Sequence, residues 1–85
     1  MAFRITSISG KDETILRLEG SLDAGGVKDL KEAIREAAGN VHLDLSGLQS
    51  ANEESVLVLR SSAAEGTKLV GASPYIRQLL DEEPS

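Results

Sequence analysis

The 85-residue sequence has no cysteine, no tryptophan and one histidine, and its only aromatic residues are Phe3 and Tyr75. Without cysteine the chain can form neither a disulfide framework nor a thiolate zinc site. His42 has no neighbouring candidate ligand, and no partners for a Ser–His–Asp triad can be assigned to it. The shortage of aromatic rings argues against a base-stacking surface for nucleic acid. These absences predict a protein that is not an enzyme and has no metal or cofactor.

The charged residues give no basic stripe. The formal net charge is -5, and between residues 28 and 36 lysine and arginine are interleaved with aspartate and glutamate. Such a pattern is typical of a solvated helix face, whereas binding to nucleic acid or to an anionic membrane needs clustered positive charge. No apolar run approaches the roughly 18 residues of a membrane span, and the N-terminus has no signal-peptide pattern. We therefore expect a cytoplasmic protein that neither binds nucleic acid nor inserts into a membrane.

Hydrophobic periodicity predicts seven secondary-structure elements. The predicted strands are 3–8, 14–20, 41–45 and 68–71. The first predicted helix follows Asp23, the second runs from about 52 to 65, and the third runs from 74 to 80. Asp23 is expected to cap the first helix, Gly39 to lie just past its end, and Ser73 to cap the last helix. The apolar run 56–59 predicts that the second helix lies deep in the fold.

Strands that alternate with crossover helices pair in parallel, and the first two strands are close enough for an antiparallel hairpin. The predicted fold class is therefore α/β, with a mixed, mostly parallel sheet of four to five strands and helices packed on it. The length suits a single small domain over residues 1–85, with 81–85 as a frayed tail.

Three motifs, in this order, resemble those of the STAS family (anti-sigma factor antagonists and their relatives). Gly-Ser-Leu-Asp at 20–23 resembles the family's G-x-L-D, and Asp-Leu-Ser-Gly at 44–47 resembles its D-L-S-G. The segment 68–74 resembles its last strand and the following turn, L-x-L-x-G-x-x-P. The predicted element order is also that of STAS domains, so the resemblance covers nearly the whole chain.

The resemblance implies a non-catalytic protein-interaction module. Anti-sigma factor antagonists dock onto an anti-sigma factor, a serine kinase, through a loop and helix start that contain a phosphorylatable serine. Phosphorylation ejects them because about -2 of charge is added where the partner packs. The alternative that the resemblance implies is a small accessory subunit bound to the ATPase of a lipid-transporting ABC complex. A third hypothesis is a carrier or sensor of a small apolar ligand. The aromatic-poor core gives little support to that hypothesis.

The phosphoserine position of the family is occupied by Glu53. In the pattern D-L-S-G-V-x-x-I-D-S-S-G the phosphorylated serine follows the second aspartate, and here Asn52 takes the place of that aspartate. Glu53 is not phosphorylatable, so its carboxylate is either a permanent negative charge or a helix cap. Residues 50–53 fit a capping box in which Glu53 reaches back to Ser50, and Glu53 and Glu54 both suit the positive end of a helix dipole. The sequence leaves both interpretations open.

Ligands of open α/β sheets bind beyond the carboxyl ends of the strands, and this rule predicts one partner-binding surface. We expect Asn52 to be the N-cap of the second helix and Ser55 to lie partly exposed in its first turn. Ser46, Ser50 and Ser55 are alternative phosphosites. The predicted partner-binding residues are Asp23, Ser46, Gly47, Ser50, Asn52, Glu53, Glu54 and Ser55.

Overall fold

The structure is a computed structural model that describes residues 3–37 and 40–81. Its strands are β1 (Phe3–Ser9), β2 (Glu13–Leu22), β3 (Asn40–Ala51) and β4 (Lys68–Val70). Its helices are α1 (Ala24–Glu36), α2 (Glu53–Ala64) and α3 (Pro74–Asp81). The predicted order of elements is confirmed. No helix in the described part of the chain is long and apolar enough to cross a membrane.

The four strands form one sheet in the order β1-β2-β3-β4. β1 and β2 form an antiparallel hairpin, and β2, β3 and β4 are parallel. The crossovers through α1 and α2 both advance the sheet in the same direction, so right-handed connections place these two helices on one face. Ile76 of α3 joins the same core cluster. The α/β fold with a mixed, mostly parallel sheet is confirmed.

The core lies between the sheet and the helices and is almost entirely aliphatic. Its buried hydrophobic residues are Leu16, Leu18, Leu22, Val27, Leu30, Leu43, Leu45, Leu48, Leu59 and Ile76. The opposite face of the sheet, called the open face below, carries ionisable side chains that pair across strands. Arg17 Nε lies 3.4 Å from Asp44 Oδ2, and His42 Nε2 lies 3.4 Å from Glu13 Oε2. Helices therefore cover one face of the sheet.

β3 is much longer than the predicted strand 41–45, and residues 46–51 are strand instead of loop. The pairing with β2 contains two register shifts, and each gives β3 one extra residue. These bulges break the alternation that the sequence shows, since the buried positions run Leu43, Leu45 and then Leu48. A Cβ on Gly47 would lie 2.8 Å from Glu19 Cγ, so the bulged strand needs a glycine there.

The other boundaries differ from the predicted ones by a few residues. β2 continues to Leu22 instead of ending at Gly20, because it pairs with the extended β3. α2 ends at Ala64, just before Gly66, whose φ of 108° only glycine adopts readily. Asp81, expected in the frayed tail, is the last residue of α3. Gly39 and residues 82–85 lie outside the described residues.

Candidate partner-binding surface

Each parallel strand is followed at its carboxyl end by the start of a helix, and each helix start has a side-chain cap. Asp23 Oδ1 accepts a hydrogen bond from the Gly26 amide at 3.1 Å. Asn52 Oδ1 accepts one from the Ser55 amide at 2.8 Å, and Ser73 Oγ accepts one from the Ile76 amide at 3.3 Å. The predicted N-caps Asp23, Asn52 and Ser73 are confirmed. Three helix N-termini, each with a partial positive charge, therefore lie at the carboxyl ends of the parallel strands.

The start of α2 is fixed to the end of β2 through Ser55. The Ser55 hydroxyl lies 2.6 Å from Asn52 Oδ1 and 3.0 Å from the Leu22 carbonyl oxygen. The Asn52 amide donates to the same carbonyl at 3.2 Å. Ser55 is 0% exposed, so the prediction that it lies partly exposed is wrong. Ser55 faces β2 from the first turn of α2 and holds the start of that helix in place. Because the side chain is fully buried, its hydroxyl is not accessible to a kinase in the folded domain.

Glu53 and Glu54 lie exposed in the first turn of α2. Glu53 is the first helical residue, because Asn52 and not Ser50 is the N-cap. The predicted capping box between Ser50 and Glu53 is therefore wrong. Ser50 belongs to the end of β3, and its hydroxyl donates to Ser21 Oγ of β2 at 2.9 Å. Two carboxylates at the positive end of the helix dipole favour the helix without a bond back to Ser50.

Ser46 and Gly47 lie inside β3, not in the expected loop with residues 49–55. At about 3.3 Å of rise per residue, the last part of β3 separates them from Asn52. The Ser46 amide donates to Asp44 Oδ1 at 3.0 Å. This bond makes the largest contribution to holding the pKa of Asp44 below its usual range. A hydrogen bond from the Ser46 hydroxyl and the nearby Arg17 guanidinium lower the pKa further. In this structure Ser46 orients a carboxylate on the open face.

Leu57 is an exposed apolar residue that the sequence analysis missed. The run 56–59 was expected to lie deep, yet Leu57 is 53% exposed while Leu59 is fully buried. The buried positions of α2 are Ser55, Leu59 and Ser62, a stripe at helical spacing that places Leu57 on the outer side. The spacing of Ser55, Leu59 and Ser62 could have identified the buried face of α2. The apolar run 56–59 pointed instead to a helix that is buried all round.

Leu57 lies one helical turn beyond Glu53, so the two side chains share a face of α2. We call Glu53, Glu54 and Leu57 the α2 surface. Beside it, a groove of about 450 Å³ separates α1 from α2. Its lining residues are Lys31, Ile34, Arg35, Glu54, Leu57, Val58, Ser61, Ser62 and Glu65. An exposed leucine with charged neighbours suits a protein partner better than a small ligand.

Within the described ranges, no three His, Asp or Glu side chains come together in a way that could hold a metal ion.

Neither a protein-family model nor a curated protein matches the chain. Among solved structures, the crystal structure of an antisigma-factor antagonist STAS domain from Rhodobacter sphaeroides is 32% identical in sequence, with a TM-score of 0.65. The match covers 85% of this chain and 92% of that chain. The chain belongs to the STAS family.

A second solved structure has the same fold as this STAS domain. The anti-sigma factor antagonist SpoIIAA in its unphosphorylated form has a TM-score of 0.65 over 98% of this chain and 84% of that chain. Its sequence identity is 20%, so the likeness concerns the fold alone. The Rhodobacter sphaeroides structure confirms the family that the motifs at 20–23, 44–47 and 68–74 indicated, and both structures confirm the fold.

Proposed function

We propose that this STAS domain is a non-catalytic regulator that binds a serine kinase of the anti-sigma factor type through the α2 surface. The observation that carries the proposal is the exposed group of Glu53, Glu54 and Leu57 at the start of α2. Leu57 is 53% exposed, and burial of exposed apolar surface is the main favourable contribution to most protein–protein association. The similarity to an antisigma-factor antagonist from Rhodobacter sphaeroides supports the class of partner.

The same surface lacks the hydroxyl on which a phosphorylation switch depends. Glu53 stands at the helix start with its carboxylate exposed, and Ser55 is buried against Leu22. Glu53 carries one charge and two oxygens, whereas a phosphoserine carries nearly two charges and three oxygens. The charge at this position is therefore constant, and the affinity for the partner does not depend on phosphorylation there.

A capture experiment with the purified domain tests the proposal. The immobilised domain is incubated with lysate of its own cells in the presence of ADP or ATP, and retained proteins are identified by mass spectrometry. We expect an anti-sigma-type serine kinase in the wild-type eluate and its loss with Leu57→Ala. Ile8→Ala is the matched control, because Ile8 is 43% exposed on β1, away from α2.

Two outcomes contradict the proposal. Retention of an ABC-transporter ATPase in place of a kinase would assign the domain to the accessory-subunit class of STAS proteins. Equal loss of the kinase with Leu57→Ala and Ile8→Ala would show that binding does not use the α2 surface.

A further inference from the structure

A second groove lies at the opposite end of the sheet from the helix starts. It has a volume of about 850 Å³ and separates the β1–β2 hairpin from α1. α1 begins at the carboxyl end of β2 and runs back along it, so its last turns reach the hairpin. None of the residues of the α2 surface lines this groove. We call it the hairpin groove.

The floor of the hairpin groove is apolar and its β1 side carries hydroxyls. Apolar lining residues come from β1, β2 and α1: Ile5, Leu16, Ala33 and Ala37. Ser7 and Ser9 also line the groove and are exposed, because β1 extends beyond the cover of the core. An aliphatic chain can therefore lie on the floor, and polar groups can be bound at the rim.

The walls of the hairpin groove are acidic. Its carboxylates are Asp12, Glu13, Asp29, Glu32 and Glu36, and among the described residues Lys11 is the one cation that lines it. Asp29, Glu32 and Glu36 lie three and four residues apart, so they share one flank of α1. None of these three pairs with a cation in the described part of the chain. The negative end of the α1 dipole lies at the same place and adds to the negative potential.

β1 offers its backbone beside this groove. Within the described residues, β1 pairs with β2 alone, so its outer edge of seven residues is unpaired. The strand contains no proline, and its one charged residue, Arg4, does not line the groove. An extended segment of another protein can add to such an edge through backbone hydrogen bonds. Its alternate side chains would then point toward the acidic flank of α1.

We propose that the hairpin groove binds an extended basic segment of a second protein partner. The aliphatic stems of lysine or arginine lie on Ile5 and Ala33, which are half-buried in the floor, and their charged ends reach Asp29, Glu32 and Glu36. The backbone of the segment pairs with β1. This inference goes beyond the proposed function and does not depend on it, because it uses neither the α2 surface nor a kinase. A STAS domain with both surfaces joins two partners.

The probe is a seven-residue synthetic peptide in which lysine alternates with threonine, titrated into the ¹⁵N-labelled domain and followed by amide NMR. We expect saturable binding, with shifts of the amides of β1 and of the C-terminal half of α1. The double variant Glu32→Lys, Glu36→Lys should weaken binding about tenfold or more. The control Glu53→Lys, Glu54→Lys makes the same change in net charge at the start of α2, outside the residues that line the hairpin groove. It should change the affinity less than about twofold.

Three results would overturn the inference. The first is equal weakening by both double variants, which would mean attraction to the net charge of the domain alone. The second is equal affinity for a peptide of the same composition with its lysines consecutive, because in an added strand only alternate side chains would face the acidic flank of α1. The third is equal competition by spermine at the same charge concentration, which would identify the groove as a polyamine site.

Discussion

The Ser55 hydroxyl oxygen lies 3.0 Å from the carbonyl oxygen of Leu22, and this contact joins the start of α2 to the end of β2. The Asn52 amide bonds the same carbonyl, and the Asn52 side chain accepts from the Ser55 amide. Two successive helix-start regions are therefore connected through one backbone oxygen. The α2 surface rests on this network and not on a bond made by Glu53.

Ser55→Ala should destabilise the domain by about 0.5–1.5 kcal/mol relative to Ser61→Ala, measured by urea unfolding. Both variants gain the helix propensity of alanine, but Ser61 is exposed on α2 and Ser55 is fully buried. Loss of the hydroxyl leaves the Leu22 carbonyl bonded to the Asn52 amide, so the cost stays modest. Equal stabilities of the two variants would show that the hydroxyl contributes nothing to the fold.

Glu53→Ser should make the domain a substrate of the serine kinase that the wild type binds, with phosphate on position 53 by mass spectrometry. The reason is that position 53 is the exposed first residue of α2, where a hydroxyl is accessible. Glu54→Ser, one residue further into the same turn, is the matched control and should stay unmodified. Phosphate on the wild type, or on both variants, would contradict the assignment of Glu53 to the switch position.

The aliphatic periodicity of the sequence was sufficient for the order of elements. Val27 and Leu30, for example, recur at helical spacing and are both buried. The caps Asp23 and Asn52 followed from residue type and place, since few side chains can satisfy the free amides of a helix start.

The candidate site was less accessible to sequence reasoning, because it depends on β3. Two bulges let β3 continue beside β2 to Ala51, so Ser50 belongs to β3 and the predicted cap between Ser50 and Glu53 does not form. A bulge interrupts the alternation of buried and exposed residues by which a strand is recognised in a sequence. Residues 46–51 lack that alternation and are mostly small and polar, so they resemble a loop. The exposure of Leu57 depends on how α2 is rotated about its axis, which the apolar run 56–59 left undetermined.

Gly47→Ala should destabilise the domain by about 1–3 kcal/mol, measured by urea unfolding. A Cβ at this position would lie 2.8 Å from Glu19 Cγ and 3.2 Å from the Leu18 carbonyl oxygen, and the latter is backbone that cannot rotate away. Gly25→Ala is the control, since its Cβ would meet only Asp23 Oδ1, at 3.5 Å, within α1. That variant should be neutral or slightly stabilising. A neutral Gly47→Ala would mean that the bulged pairing of β2 and β3 relaxes easily.

Stability in acid should depend on Asp44. Hydrogen bonds from the Ser46 amide and hydroxyl, with the Arg17 guanidinium nearby, lower the pKa of this carboxyl in the folded state. A carboxyl whose pKa is lower in the folded state binds fewer protons there than in the unfolded chain. Its contribution is therefore complete above the unfolded pKa of about 3.9 and is lost as the pH falls through the folded pKa.

Asp44→Asn removes this titration and keeps a side-chain oxygen that can accept from the Ser46 amide. The free energy of unfolding of the variant should therefore fall less steeply than that of the wild type as the pH drops below about 4. Urea unfolding at a series of pH values from neutral to acid gives both curves. Parallel curves would show that the carboxylate of Asp44 gains no stabilisation from Ser46 and Arg17.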